Sequence, residues 1–199
     1  MFTGIVQAVG RVRRFDRQAD TATLAIATPL TATSAIGDSI AVNGVCLTIT
    51  ACDTAGFETT MMPETMRRTN LGELSERSLV DLELALAATA RLDGHFVLGH
   101  VDITTQLVSR QADQNAVVLR LALPKDGERL IVDKGSIAID GISLTVTTVD
   151  ATSFGVSLIP HTLAQTVLGQ VAVGGTVNLE YDVLGKYVVN LMEVKHESN

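Results

Sequence analysis

Cysteine, aromatic residues and long apolar runs are scarce in this sequence. Cys46 and Cys52 are the only cysteines among 199 residues, which is too few for a disulfide scaffold or a structural zinc site. Aromatic residues make up 4% and tryptophan is absent, which disfavours a protein that binds single-stranded nucleic acid by base stacking. No segment reaches the roughly 18 consecutive apolar residues of a transmembrane helix. We therefore expect no metal, no disulfide scaffold and no membrane association.

Positive charge and nucleotide-binding motifs are also lacking. The 15 Lys and Arg residues are outnumbered by 22 Asp and Glu residues, for a formal net charge of −7, which disfavours nucleic acid as a partner. The first residues show no basic segment followed by an apolar run, so we expect a cytoplasmic protein without a secretory signal. The sequence contains no G-x-x-x-x-G-K-[ST] loop, no G-x-G-x-x-G after a strand and no G-x-S-x-G elbow. The common nucleotide sites and the hydrolase elbow are therefore not indicated.

A repeated sequence is present instead. Three separated segments recur at a single offset of 97, and in the first pair six of ten positions are identical. Because chance does not hold one offset across three segments, the sequence predicts two copies of one domain. The pairs are residues 39–48 with 136–145, residues 63–72 with 160–169, and residues 80–84 with 177–181.

Each copy is predicted to be mostly β-strand. In the first copy, β-branched residues and alternation mark strands at residues 40–50 and 57–61. Residues 79–90 are rich in helix-favouring Leu, Ala and Glu, but the repeat partner at 176–181 alternates like a strand. We predict a strand at residues 79–85, because tertiary context overrides local propensity.

Turn and helix signals complete the predicted domain. The dipeptides Asn43-Gly44 and Asp140-Gly141 are typical of tight hairpin turns. Short helices are predicted at residues 63–71 and 160–168, each opened by proline and closed by glycine. The fold is therefore predicted to be mainly β: two tandem Greek-key β-barrels with short helices, plus a C-terminal amphipathic helix. We expect domains at residues 1–87 and 94–182 and a tail at 183–199.

The tail has the spacing of an amphipathic helix over residues 182–195. A lone helix of about 14 residues is marginal in water, so its apolar stripe needs a partner. The partner is either the body of the chain or the same helix of other subunits. The stripe consists of Leu184, Tyr187, Val188, Leu191 and Met192.

Two equivalent strands carry small polar side chains. Cys46 precedes Thr48 by two residues, and the repeat places Ser143 and Thr145 at the same positions. Taken alone, Cys46 is better explained as a small core residue than as a ligand-contacting thiol. Polar groups repeated on one strand face need partners, however, either internal or from a ligand. This pattern predicts two similar pockets for two copies of the same or a similar ligand.

Histidines and an acid stand near the predicted pockets. His95 and His100 would face opposite sides of a strand and point about 140° apart on a helix, so they do not suit a common metal ion, and no Cys or acid stands at ligand spacing. Each is either a structural residue or a proton carrier near pH 7. Glu64 and His161 open the two short helices, where Glu64 can simply favour the helix dipole.

The ordered set of motifs is specific although each motif alone is weak. It comprises residues 1–7, residues 43–48, Glu64-Thr65 with residues 69–72, Gly99-His100, and residues 140–145. Together these segments resemble the riboflavin synthase family of duplicated lumazine-binding barrels, and the resemblance covers essentially the whole chain. It departs from some relatives at Val42, where some carry a polar residue, and at His161, whose repeat partner is Glu64.

This resemblance implies a transferase that needs no cofactor and no metal. The family takes two molecules of 6,7-dimethyl-8-ribityllumazine and moves a four-carbon unit from one to the other. The products are riboflavin and 5-amino-6-ribitylamino-uracil. The resemblance further implies a homotrimer held by the C-terminal helices, with each active site between the N-terminal barrel of one subunit and the C-terminal barrel of the next. It also allows an association with lumazine synthase.

Site residues follow by position from the same resemblance. Phe2 and Thr3 are expected to order the N-terminal edge of the site. The catalytic candidates are Cys46, His100, Ser39, Ser143, Thr145 and Asp182. The N-barrel pocket is expected to use Gly4, Ile5, Val6, Cys46, Leu47, Thr48, Thr60, Met61, Met62, Pro63, Glu64 and Thr65. The C-barrel pocket is expected to use His100, Lys134, Ser143, Leu144, Thr145, Ser157, Leu158, Ile159, Pro160, His161 and Thr162.

Two other classes of protein share part of this pattern. A non-catalytic lumazine- or flavin-binding antenna protein shares the barrels but degrades the motifs around Cys46 and at Gly99-His100, and both are intact here. A split-barrel flavoprotein reductase would use NAD(P)H and would need no duplicated pocket.

Overall fold

Apolar residues alternate with polar ones along short segments, and these segments form the strands of two closed barrels. The computed structural model describes residues 1–196. The first barrel has the strand order β1-β2-β5-β4-β3-β6 with every pair antiparallel. Its strands are β1 (Ala8–Arg17), β2 (Ala22–Ala27), β3 (Ser39–Val42), β4 (Val45–Asp53), β5 (Gly56–Met61) and β6 (Leu79–Leu84).

The second barrel repeats this topology. Three of its strands start and end exactly 97 residues after their counterparts in the first barrel, as the repeat predicts. The mainly β, two-barrel fold is therefore confirmed. The strands are β7 (Ile103–Asp113), β8 (Ala116–Ala122), β9 (Ser136–Ile139), β10 (Ile142–Val149), β11 (Ser153–Leu158) and β12 (Thr176–Tyr181).

Each barrel encloses its own apolar core. Inward residues such as Leu24, Ile49 and Phe57 fill the first barrel, and Leu121 and Phe154 fill the second. All five side chains are inaccessible to solvent. Burying a side chain of this size contributes roughly 1.5–3 kcal/mol, so each barrel has a substantial hydrophobic core of its own.

The strand predicted at residues 79–85 is confirmed as β6, but the first hairpin of each barrel was not predicted. Strand β1 contains four arginines and its outward positions are exposed. Only Val12 and Gly10 are buried along it, so its apolar alternation is too weak to recognise. The predicted turns at Asn43-Gly44 and Asp140-Gly141 do join β3 to β4 and β9 to β10.

The short helices end earlier than predicted. Helix α1 spans Pro63–Arg68 and helix α2 spans Pro160–Gln165. Thr69 stops α1 because its backbone is extended, its hydroxyl donates to the Thr65 carbonyl, and the same hydroxyl accepts from the Leu71 amide. Thr166 stops α2 with the same backbone geometry. Short 3₁₀ turns lie at Leu30–Thr33, Asn70–Glu73, Lys125–Gly127 and Leu168–Gln170.

The tail forms helix α3 over Val183–His196, close to the predicted bounds. Asp182 caps its start, since its carboxylate accepts from the Leu184 amide at 3.0 Å. Ion pairs from Lys186 to Asp102 and from Arg129 to Glu193 hold the helix to the second barrel. No helix within residues 1–196 is long and apolar enough to cross a membrane. Residues 197–199 of the predicted tail lie outside the described part of the chain.

Within residues 1–196, the body of the chain does not cover the apolar stripe of α3. All five stripe residues are at least half exposed. The described residues therefore do not supply the partner that this stripe needs. The stripe consists of Leu184, Tyr187, Val188, Leu191 and Met192.

Candidate active site

Two extended segments cross between the barrels. We call residues 2–6 the first arm and residues 97–101 the second arm. The arms pair through Phe2 and Val97, whose backbones exchange hydrogen bonds of 2.6 and 3.2 Å. Both side chains pack against the small residues Ala41 and Ala138 on the outer faces of the two barrels. The arms therefore form the apolar centre of the contact between the two copies.

Each arm lies against the barrel of the other copy. The Gly4 carbonyl of the first arm accepts from the Ser143 amide in the second barrel at 2.7 Å. The Gly99 carbonyl of the second arm accepts from the Cys46 amide in the first barrel at 2.8 Å. Val6 likewise packs against the core of the second barrel, whereas Val101 packs against that of the first.

Glycine is required where the arms meet the barrels. Gly4 and Gly99 both have a φ of +79°, a backbone conformation that residues other than glycine rarely adopt. A Cβ at Gly4 would lie 2.6 Å from the Ser143 Cβ, and a Cβ at Gly99 would lie 2.5 Å from the Cys46 Cβ. These glycines let the backbone approach the two residues expected to act on the ligand.

The first pocket joins β4, α1 and the second arm. Its volume is about 220 Å³, and the thiol of Cys46 and the imidazole of His100 both line it. It is lined by Val45, Cys46, Glu64, Thr65, Arg68, Thr69, Gly99, His100 and Val101.

The second pocket is built in the same way from β10, α2 and the first arm. Its volume is about 110 Å³. All nine lining positions correspond to those of the first pocket. They are Gly4, Ile5, Val6, Ile142, Ser143, His161, Thr162, Gln165 and Thr166.

Chemical differences separate the twin pockets at five of these nine positions. At these positions the first pocket carries a thiol, a carboxylate, a guanidinium and an imidazole, whereas the second carries a hydroxyl, an imidazole, an amide and apolar groups. The differing pairs are Val45 and Ile142, Cys46 and Ser143, Glu64 and His161, Arg68 and Gln165, and His100 and Ile5.

The expected division of residues between the pockets was wrong for the arms. Gly4, Ile5 and Val6 were expected with Cys46, but they line the pocket of Ser143. His100 was expected with Ser143, but it lines the pocket of Cys46. The reason is that each arm crosses to the opposite barrel.

Glu64 is held as a carboxylate at the rim of the first pocket. Arg67 and Arg68 contact its oxygens at 2.6 and 2.5 Å. Hydrogen bonds from Arg68 and then Arg67 lower the pKa of Glu64. His161 stands at the equivalent position of the second pocket, so the two rims differ in charge.

His95 and Ser143 form a hydrogen-bonded pair beside the second pocket. The His95 Nδ1 atom lies 2.7 Å from the Ser143 Oγ atom. His95 is buried, and this burial lowers the pKa of its imidazole, against a smaller opposing effect of the Asp182 charge. A neutral imidazole in this position can accept a proton from the serine hydroxyl.

Within residues 1–196, the predicted site residues Ser39, Lys134 and Asp182 line neither pocket. Ser39 begins β3 beside a separate cavity of about 260 Å³. Lys134 is exposed next to Asp133, with the Nζ atom 3.8 Å from the carboxylate. Asp182 caps α3.

The other predicted residues that line neither pocket lie on the first arm, on β4, β5, β10 and β11, and at the starts of α1 and α2. Phe2 is fully buried between the barrels, and Thr3 is buried on the first arm. The side chains of Leu47, Met61 and Leu158 point into the barrel cores. Of the others, Thr48, Thr60, Met62, Thr145, Ile159 and Pro160 are exposed, and Pro63, Leu144 and Ser157 are half-buried.

Sequence reasoning missed two buried acids, Glu83 in β6 and Glu180 in β12. Each is hydrogen bonded to the arm of its own copy. The available signal was an acid kept at the same place in both copies of an otherwise apolar strand. Gly99 and Val101, which flank the predicted His100, were also missed.

Duplicated barrels with a matched pocket on each define a small-molecule-binding protein of the double-barrel type. The model of the family described as "Lumazine binding domain" matches residues 3–85 and 98–182. Riboflavin synthase of Mycobacterium bovis is 49% identical over 96% of this chain and 98% of its own length. Riboflavin synthase of Bacillus subtilis is 38% identical over 100% of this chain and 93% of its own length. The chain therefore belongs to the riboflavin synthase family.

The fold is also shared with more distant solved structures. A structure of LumP complexed with riboflavin superposes with a TM-score of 0.84 and covers 91% of this chain and 99% of its own. Its sequence identity is only 22%. This similarity therefore concerns the fold alone.

Proposed function

We propose that this chain is a riboflavin synthase. It binds two molecules of 6,7-dimethyl-8-ribityllumazine and transfers a four-carbon unit from one to the other, giving riboflavin and 5-amino-6-ribitylamino-uracil. The observation that carries this proposal is the pair of matched pockets, since a dismutation needs two places for one substrate. Holding both rings ready for reaction removes the entropic cost of their encounter, which is worth several kcal/mol.

The reaction needs no redox cofactor or metal for its balance. The two products together contain the same atoms as the two substrates, so no net oxidant, reductant or water is consumed. The first step removes a proton from the C7 methyl group of one lumazine, whose anion is delocalised into the ring. The protein then has to accept this proton and stabilise the anion.

Different groups serve the two rings. In the first pocket, Cys46 contacts or activates the acceptor ring, and His100, on the second arm, manages protons there. In the second pocket, Ser143 faces the ring with its hydroxyl hydrogen bonded to His95 at 2.7 Å. Burial lowers the pKa of His95, so its neutral imidazole is available to accept the proton of the Ser143 hydroxyl during the reaction.

The short helices hold the ribityl chains. Glu64 and Thr65 line the first pocket at the start of α1, and His161 and Thr162 line the second at the start of α2. Carboxylate, hydroxyl and imidazole groups are suitable partners for a chain of hydroxyl groups. The other predicted residues on β4, β5, β10 and β11 shape the pockets from behind.

The active enzyme is a homotrimer in the cytoplasm. Both pockets are smaller than the roughly 300–1,000 Å³ typical of small-molecule sites, so a second surface is needed to cover each ring. The exposed stripe of α3 supplies the apolar contact between subunits. A neighbouring subunit then brings Ser39, Lys134 and Asp182, which lie outside both pockets of their own chain, to the reacting rings. Association with lumazine synthase, which would supply the substrate, is part of this proposal.

Incubation with the lumazine alone, under anaerobic conditions, tests the reaction. We expect riboflavin and the pyrimidine product in a one-to-one ratio without added reductant or metal. Binding of the lumazine without riboflavin formation would indicate an antenna-type protein instead. A requirement for NAD(P)H would indicate a reductase.

A further inference from the structure

Glu83 and Glu180 are buried carboxylates in equivalent strands. Glu83 is 5% exposed and Glu180 is 3% exposed, and they are related by the repeat offset. A buried carboxylate is costly unless hydrogen bonds or opposite charge compensate it. Neither residue lines either pocket, and the reaction scheme gives them no role.

The hydrogen bonds of Glu83 go to the first arm. Its Oε1 atom accepts from the Thr3 amide at 2.7 Å and from the Thr3 hydroxyl at 2.8 Å. Its Oε2 atom accepts from the Gly4 amide at 3.0 Å. The carboxylate therefore fixes the backbone immediately before Ile5 and Val6, which line the second pocket.

Glu180 holds the second arm in the same way. Its Oε1 atom accepts from the Leu98 amide at 2.6 Å. Its Oε2 atom accepts from the amides of Gly99 and His100 at 2.8 and 3.0 Å. The arm fixed here carries Gly99, His100 and Val101 into the first pocket.

Strand pairing explains how each acid reaches an arm that contacts the other barrel. Glu83 pairs with Ala41, and Ala41 pairs with Cys46, so the three side chains share one outer row of the first barrel. Glu180, Ala138 and Ser143 form the equivalent row on the second. The two rows flank the packed arms, with a small alanine at the centre of each.

We propose that Glu83 and Glu180 are positioning residues with crossed control: Glu83 sets the geometry of the second pocket, and Glu180 sets that of the first. The proposal rests on the synthase function for its catalytic meaning. The carboxylate acts through the arm and does not touch the ligand. Replacing it with an amide leaves one acceptor oxygen for three donors and turns an NH₂ group towards backbone N–H groups, so the arm loses its anchor.

The crossed assignment can be tested at Cys46, which lies in the first pocket only. In a Cys52→Ala background Cys46 is the single thiol, and its alkylation by iodoacetamide reports on the second arm packed against it. We expect Glu180→Gln to raise the alkylation rate about tenfold, since loss of a charge-assisted hydrogen bond is an effect of this size. In the parent protein, bound riboflavin should protect Cys46 from alkylation, and Glu180→Gln should remove this protection. Glu83→Gln should change neither measurement.

Turnover and folding complete the test. Both variants should lower kcat, whereas Glu76→Gln, an exposed change of the same charge, should leave kcat and alkylation unchanged. If Glu180→Gln fails to fold, Glu180→Asp keeps the charge with a shorter reach and should raise Cys46 alkylation by a smaller factor. Equal effects of Glu83→Gln and Glu180→Gln on Cys46, or no effect of either Glu180 variant, would overturn the proposal. Alkylation without ligand is independent of turnover, so a protein that forms no riboflavin would refute only the proposed function.

Discussion

A thiol in one pocket and a hydroxyl in the other give the two bound rings different surroundings. Cys46 and Ser143 occupy equivalent strand positions, and each amide is bonded to a glycine carbonyl of the opposite arm. Their neighbours differ, because His100 accompanies Cys46 whereas His95 is bonded to Ser143. The asymmetry that a donor and an acceptor require is thus present at the level of single side chains.

Cys46→Ser would make the two pockets alike at this position. We expect the variant to bind riboflavin but to form it at least about tenfold more slowly, since the removed group acts on the reacting ring. The measurement is steady-state turnover of the lumazine. Cys52→Ala is the matched control, because Cys52 lies outside both pockets, at the end of β4, and it should retain full activity. Unchanged turnover of Cys46→Ser and of Cys46→Ala would contradict the assigned role.

Gly99→Ala tests the close approach of the second arm. The new methyl group would lie 2.5 Å from the Cys46 Cβ, so we expect lower stability and loss of activity. Gly37→Ala provides the comparison, because its φ is also positive at +97° but nothing lies within 4 Å of a Cβ there. It should cost only the backbone strain of about 1 kcal/mol. Thermal unfolding of both variants separates the backbone strain, which both share, from the steric clash, which only Gly99→Ala has. Equal losses of stability would argue against the packing role of Gly99.

At the scale of elements, a buried polar network joins the hairpin turns and 3₁₀ turns of the two barrels. Asp81 accepts from the Val167 amide at 2.9 Å, and its repeat partner Asn178 accepts from the Asn70 amide at 2.8 Å. Asp140 accepts from the Asn178 amide and from the Asn70 side chain. Burial raises the pKa of Asp81 to about 7 and that of Asp140 to about 8. The barrel contact therefore contains two carboxyl groups that favour the protonated form.

This network should make stability fall as the pH rises. A carboxyl group with a raised pKa binds its proton more tightly in the folded state than in the unfolded state. For Asp81, its contribution to the free energy of unfolding is complete below about pH 4 and is lost as the pH rises to about 7. Asp81→Asn introduces the residue found at the repeat partner Asn178. It should reduce the slope of the free energy of unfolding against pH, by at most about 1.4 kcal/mol per pH unit for one proton. The measurement is urea unfolding between pH 4 and 8.

The control for this experiment is Asp20→Asn, which alters an exposed acid and should leave the slope unchanged. An Asp81→Asn protein with the same pH dependence as the parent chain would show that Asp81 binds its proton no more tightly in the folded state than in the unfolded state.

The sequence allowed the strands and their duplication to be predicted better than the contacts between copies. Strand β6 was recognisable because its repeat partner, residues 176–181, alternates apolar and polar residues, although the composition of β6 itself also suits a helix. The arms were misassigned because Gly4 and Gly99 are 95 residues apart rather than 97, and no local pattern states which barrel an extended segment contacts. Glu83 and Glu180 escaped notice because five of their six hydrogen-bond donors are backbone amides, whose pairing no residue type in the sequence indicates.

At the scale of the whole molecule, the exposed stripe on α3 is a large apolar surface without cover in the described chain. Leu191→Asp places a charge within this stripe, where the side chain is 64% exposed. We expect the trimer to dissociate and turnover to be lost, because each site is shared between subunits in the proposed assembly. The measurement is sedimentation equilibrium together with activity.

Val173→Asp is the matched control, since Val173 is 61% exposed but lies outside α3. It should leave both the mass and the turnover unchanged. A Leu191→Asp protein that stays trimeric would refute the subunit contact through α3, and a monomer that keeps full turnover would refute the shared site.

The position of Glu180 in β12, the last strand, has a consequence for the order in which the molecule becomes competent. On the ribosome, the first barrel can close once β6 has emerged, since domains fold as units during synthesis. The anchor for His100 is made 80 residues after it, so a nascent chain carries a folded barrel whose pocket still lacks its fixed wall. A chain that ends before β12 therefore lacks the carboxylate that fixes His100 against the first pocket.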